Sequence, residues 1–159
     1  MNKLLLILLL SFSTVIAQNI DTDNDLVPNK LDKCLNTPDG VFVNKDGCLQ
    51  EISRKIYFSH GSYNINKEER QKINRIILLA KEGFGYKILI EGHTDSVADA
   101  QFNMRLSEKR AISIKNILLT SNVNKQRIST KWYGETMPIS SNITEASRSK
   151  NRRVTITFK

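Results

Sequence analysis

Apolar residues between positions 52 and 158 recur with two periods. Ile52, Ile56 and Phe58 alternate with polar neighbours, and Ile88 and Ile90 do so within residues 86–91, the period-two pattern of half-buried strands. Between them Ile73, Ile76, Ile77 and Ala80 follow the i, i+3, i+4, i+7 spacing of a helix with one inward face. Asn66, with Glu69 three residues on, is placed to cap that helix, and Gly83 and Gly85 to end it. Asp99 is placed to cap a second helix over 100–120, and strands follow at 128–133 and 154–158. The order is βαβαβ, a loop, then β. The simplest way to bury these faces is an α+β two-layer sandwich, with both helices on one side of a mixed sheet.

The first residues follow another pattern. Lys3 precedes an apolar run over 4–10, extended by Phe12, Val15 and Ile16 and ending at the small Ala17. This is the layout of a secretory signal peptide cleaved after Ala17. Ser11, Ser13 and Thr14 interrupt the run, so it falls short of the roughly 18 apolar residues of a spanning helix. The other reading is an uncleaved anchor. No Cys follows the cleavage point, so no lipid-modified N-terminus is expected, and no later segment is apolar enough to span a membrane. Export directs the chain to the periplasm, beside the wall and the outer membrane, where a partner protein could dock it.

Charge divides the remainder. Residues 18–50 hold six Asp against three Lys, a balance of 3 − 6 = −3, and residues 51–159 hold twenty Lys/Arg against ten Asp/Glu, a balance of 20 − 10 = +10. In an exported protein such a basic excess faces anionic envelope polymers or water, and nucleic acid is excluded as a partner.

In the acidic stretch Asp21, Asp23, Asp25, Asn29 and Asp32 occupy positions one, three, five, nine and twelve of a loop, and Val27 can add a backbone carbonyl at position seven. That spacing suits calcium, which takes six to eight oxygens. The alternative is a solvated acidic linker. The segment resembles a thrombospondin type 3 repeat, through this spacing, Cys34, the Thr37-Pro38-Asp39-Gly40 turn and Asp46-Gly47-Cys48. It departs from that family at Leu26, where Gly is usual, and at Asn29, where Asp is usual. Cys34 and Cys48 are the only cysteines, and an even pair in an exported chain is most simply one disulfide. Closing a loop of about fifteen residues contributes roughly 3 kcal/mol in the chain-entropy model. Metal and disulfide would substitute for the core that so short a piece lacks.

The second helix carries an anomaly. Phe102, Leu106, Ile114 and Ile117 define its apolar face, and Asn103 and Arg110 fall on that same face. An unpaired buried guanidinium costs several kcal/mol, so Arg110 needs a partner or a cleft, and an anionic group is expected beside it. Asp95, in the loop leading into the helix, is the nearest candidate. An internal Asp95–Arg110 salt bridge that only fixes the loop is one reading, and a ligand site is the other.

Gly92-His93-Thr94-Asp95, then Asn103 and Leu106-Ser107 leading to Arg110-Ala111, then Tyr133-Gly134-Glu135, then Asn151-Arg152-Arg153-Val154 stand in that order. Together they resemble the OmpA C-terminal (OmpA/MotB/Pal-like) family over residues 52–158. The resemblance implies an α+β domain that grips the diaminopimelate of a peptidoglycan stem peptide without a covalent bond. In that family the Asp meets the ligand's ammonium and the Arg its carboxylate, positions matched by Asp95 and Arg110. A carboxylate only accepts hydrogen bonds, and a guanidinium offers a planar fork to carboxylates. The resemblance further implies that Asn103 anchors the loop or lines the pocket, with Phe58, Gly61 and Thr94 as candidate walls. Arg152 and Arg153 match a pair that could meet stem-peptide or glycan groups, or could be surface charges of the last strand. Ala98 stands where many members have Gly. His60 and His93 show no metal spacing, and no nucleophilic constellation is evident, so an enzyme is not expected. A calcium-stabilised adhesion or scaffold protein of the envelope is the second functional class.

Overall fold

The computed structural model describes residues 20–159, and the expected signal peptide, residues 1–17, lies outside them. Four strands, β1 (Ile52–Tyr57), β2 (Ile88–Gly92), β3 (Ile128–Trp132) and β4 (Arg153–Phe158), form one sheet in the order β1-β4-β2-β3. β4 runs antiparallel to both β1 and β2, while β2 and β3 are parallel, so the sheet is mixed as expected.

Helices α1 (Lys67–Glu82) and α2 (Ala100–Thr120) bury their apolar stripes against the sheet. Asn66 Oδ1 accepts from Glu69 N–H at 2.8 Å, and Asp99 Oδ1 accepts from Phe102 N–H at 2.8 Å, so both helices start at the caps the sequence offers. The Glu69 side chain does not complete a capping box. It accepts from Tyr57 N–H and Lys72 Nζ instead, tying α1 to the end of β1. Ile73, Ile76 and Ala80 of α1 and Ala111, Ile114 and Leu118 of α2 meet Ile56, Ile88, Ile90, Val154, Ile156 and Phe158 of the sheet. At about 2 kcal/mol for each large aliphatic side chain fully removed from water, this cluster dominates the stability of the domain.

One further helix, α3 (Glu145–Asn151), precedes β4 and has no counterpart among the predicted elements. It has no apolar stripe to announce it. Thr144 and Ser147 form a capping box, and the helix ends on Asn151, whose buried amide bonds Ile139 N, Ser140 N, Ser140 O and Asn142 Oδ1 and fastens the loop before it.

Residues 20–50 pack at the end of the sheet where β2 begins. The buried Tyr86 hydroxyl accepts from Phe42 N–H and lies within hydrogen-bond distance of Phe42 O and Gln50 O. Cys34 and Cys48 are joined as a disulfide. Among the described residues, no helix is long and apolar enough to cross a membrane.

Candidate functional site

The other end of β2 leads into the Gly92-His93-Thr94-Asp95 loop. The strand between the two ends spans about 15 Å at 3.3 Å per residue. Gly92 is required there because a Cβ would stand 2.0 Å from Ser107 O of α2. This close approach sets the loop directly against the helix that carries Arg110.

Arg110 is fully buried. Its expected anionic partner is not in contact with it: the guanidinium donates to three carbonyls, Nε to Ser62 O (2.8 Å), Nη1 to His93 O (2.8 Å) and Nη2 to Ser59 O (3.1 Å). The Asp95–Arg110 salt bridge is therefore corrected. Three carbonyl dipoles can satisfy a guanidinium whose donors are fixed in one plane, and three of its five N–H groups are spent this way. Burial lowers the Arg110 pKa to about 10, with Arg152 adding to the shift and Asp95 opposing it, so it stays charged at neutral pH. Its guanidinium carbon lies 5.1 Å from the Phe58 ring centroid, which places Phe58 in the wall of the site.

Asp95, also buried, pairs with Arg152 at 2.9 Å. Arg152 in turn donates to Glu145 (2.6 Å) and to Phe58 O (3.2 Å). Neither Arg152 nor Arg153 is a surface charge, since they are only 6% and 4% exposed, and Arg153 donates to Met137 O. Burial alone would raise the Asp95 pKa. The Arg152 hydrogen bond and charge, the Val97 N–H and the His60 charge outweigh it and hold the carboxyl below its ordinary value.

His60 Nδ1 lies 3.6 Å from the same Asp95 oxygen, on an exposed ring. Neither His60 nor Glu145 was assigned to the site from sequence, because their approach depends on loops far apart in the chain. The stretch before Glu145, with one proline and two serines over residues 137–144, gave no signal for α3.

Thr94 is buried, its N–H donates to Gly134 O, and its hydroxyl has no partner among the described residues. Gly61 sits at φ +61° with no described atom within 4 Å of a Cβ placed on it, so it is an open loop position. Asn103 donates to Ala98 O at 2.9 Å and to Glu135, so of its two expected roles it takes loop anchoring. The structure thus gathers Asp95, Arg110 and Arg152 around residues 58–62, with Phe58 against the Arg110 guanidinium and Thr94 beside Asp95 in the chain, and leaves Asn103 as a support two turns earlier on α2.

His93 stacks on Tyr133 with ring centroids 5.3 Å apart. Burial, aided by the nearby Arg153, lowers its pKa to about 4. A His whose folded pKa lies below its unfolded value near 6.5 contributes stability that is full above pH 6.5 and lost as pH falls toward 4. Wild type should therefore lose about 3 kcal/mol over that window, and His93→Phe should flatten the loss in urea melts taken at pH 7, 5.5 and 4. Equal slopes for both proteins would show that His93 does not titrate in this way.

At the opposite end, each of the four carboxylates of residues 21–32 spends one oxygen on a backbone N–H: Asp21 on Leu26, Asp23 on Thr37, Asp25 on Val27 and Asp32 on Cys34. The second oxygen of each is buried and has no partner among the described residues, namely Asp21 Oδ1, Asp23 Oδ1, Asp25 Oδ2 and Asp32 Oδ2. Asp21, Asp23 and Asp25 place carboxylate oxygens within 4.8 Å of one another. Asn29, assigned to the same ligand set, is engaged elsewhere, its amide bonding Thr22 N and Thr22 Oγ1. Leu26 takes φ +73°, the left-handed conformation that explains why Gly is usual there. Gly47 approaches Asp32 so closely that a Cβ would lie 1.9 Å from its Oδ1.

The OmpA family model matches residues 57–152. The chain belongs to the OmpA family. It is 33% identical over 145 residues to the peptidoglycan-associated lipoprotein of Buchnera aphidicola, covering 89% of this chain and 82% of that protein. It is also 33% identical over 140 residues to outer membrane porin F of Pseudomonas aeruginosa, covering 84% of this chain but only 40% of the porin. Among solved structures, the peptidoglycan-associated lipoprotein of Burkholderia pseudomallei superposes with a TM-score of 0.64 at 25% identity, covering 67% of this chain and 90% of that one. The C-terminal domain of Helicobacter pylori MotB superposes with a TM-score of 0.62 at 29% identity, covering 67% and 84%.

Proposed function

We propose that this OmpA-family chain binds peptidoglycan non-covalently and tethers the envelope to the wall, with Asp95 reading the ammonium of a stem-peptide diaminopimelate and Arg110 its carboxylate. Relatives named as peptidoglycan-associated support the binding. The observation that carries the finer assignment is that Asp95 and Arg110 are held by separate partners around one loop and are not spent on each other. An amino-acid zwitterion needs one site of each sign. The unpartnered Thr94 hydroxyl adds a polar group beside Asp95. Two guanidinium N–H groups of Arg110 remain for a carboxylate, and because Arg110 is buried the 59–62 loop must shift to admit one.

Pull-down with purified sacculi, and titration with a diaminopimelate tetrapeptide, test the assignment. Arg110→Lys should weaken binding at least about tenfold despite keeping the charge, because an ammonium cannot form the fork. Asp95→Asn should do the same. Melting curves taken alongside separate lost binding from lost folding. If both variants fold and bind as wild type does, the two residues are structural.

We also propose that residues 21–32 hold calcium, through Asp21, Asp23, Asp25, Asp32 and the Val27 carbonyl. Four buried carboxylate oxygens without partners support this reading, since each is otherwise desolvated at a cost and repelled by its neighbours. Calcium at about a hundred times its dissociation constant should add about 2.7 kcal/mol to stability. No heat on titration to millimolar calcium, with a melting temperature indifferent to chelator, would exclude the site.

A further inference from the structure

A second cleft adjoins the proposed site. Gly61 and Tyr63, from the loop after β1, face Phe102, Arg105, Leu106 and Lys109 on the first turns of α2 across a space of about 220 Å³. The same loop receives the Arg110 guanidinium through Ser59 and Ser62, so cleft and site share a wall. Tyr63 and Phe102 are 46% and 41% exposed, and Lys109 Nζ stands 5.6 Å from the centroid of the Tyr63 ring. Phe102 belongs to the stripe that the sequence places inward, yet the helix turns Leu106 in and leaves Phe102 on the rim.

Two half-exposed rings leave apolar surface in water, and Arg105 and Lys109, four residues apart on one helix, repel. Among the described residues, no acidic side chain lines the cleft. Both costs are relieved by a ligand that has a flat C–H face for the rings and a carboxylate for the cations. A polymer gripped by one residue lays its neighbouring parts over the adjoining surface, and in peptidoglycan these are the glutamate carboxylate and the amino sugars.

We propose that this cleft is a second subsite, which takes the amino sugar and the carboxylate-bearing segment that precede the diaminopimelate. The proposal rests on the reading of Asp95 and Arg110 given above. Calorimetry would compare a free stem tetrapeptide with the same peptide carrying its disaccharide. Wild type should bind the disaccharide form about tenfold tighter, the gain expected from stacking on two rings. The Tyr63→Ala, Phe102→Ala double variant should keep the free-peptide affinity and lose that gain. Arg105→Gln with Lys109→Gln should weaken the ordinary tetrapeptide about threefold, but not one whose glutamate carboxylate is amidated. Equal wild-type affinities for the two ligands, or loss of free-peptide binding in the aromatic variant, would overturn the subsite. Asp95→Asn should weaken both ligands by one factor. A changed ratio counts against the subsite, whereas unchanged binding of both counts against the role of Asp95.

Discussion

Gly92→Ala should cost the domain about 3 kcal/mol or more, the upper end of what overpacking costs, and should disturb the site in the same step. The added Cβ would lie 2.0 Å from Ser107 O, 2.8 Å from Ser107 C and 3.3 Å from Ala111 Cβ. The first two are backbone atoms in the middle of a 21-residue helix, so no side-chain rotation relieves them. β2 and α2 would have to separate. The His93 carbonyl, which accepts from Arg110, is attached directly to this point, so the guanidinium would lose a partner while remaining buried. Gly61→Ala is the matched control, because a Cβ there meets nothing within 4 Å and only the φ of +61° is strained. It should cost about 1 kcal/mol. Urea unfolding of the two variants decides the matter: a Gly92→Ala protein as stable as Gly61→Ala would mean that the strand and helix are not in such close contact.

Most of the fold was legible because its signals are local. Period-two and period-3.6 patterns, with Asn66 and Asp99 as caps, identified all four strands and both long helices. α3 escaped because its seven residues carry no apolar stripe and depend on the Thr144 capping box and on Arg148 bonding Asn142 O and Ile143 O. Arg110 could be found on the buried face by its spacing alone. Its partners could not, because backbone carbonyls at positions 59, 62 and 93 leave no trace in side-chain chemistry. The Asp95–Arg110 salt bridge, one of the two readings open at that point, fails for a related reason. Arg152 lies 57 residues from Asp95 and reaches it only because β4 inserts between β1 and β2, a sheet order that no local pattern encodes.

That pairing separates folding from binding. Asp95→Ala would leave Arg152 6% exposed with only the exposed Glu145 as counter-charge, and removing one member of a buried pair costs about 3 kcal/mol or more. Arg152→Met should also destabilise, since it strips Asp95 of its main hydrogen bond. The double variant Asp95→Ala, Arg152→Met removes both charges together, so its loss should be smaller than the sum of the two by about 1–3 kcal/mol. Binding should not recover with it, because the carboxylate that meets the ligand is still absent. The effect has a pH signature. Arg152, Val97 N–H and His60 overcome the upward push of burial and hold the Asp95 carboxyl below its ordinary value. Its contribution to stability is therefore complete above the unfolded pKa of about 3.9 and lost as pH falls through the lower, folded one. Urea melts of wild type and Asp95→Ala should differ most at pH 7 and converge as the pH is lowered toward 2. A gap that stays constant across that range would mean that the charge of Asp95 does not stabilise the fold, and a double variant that regains peptidoglycan binding would remove Asp95 from the site.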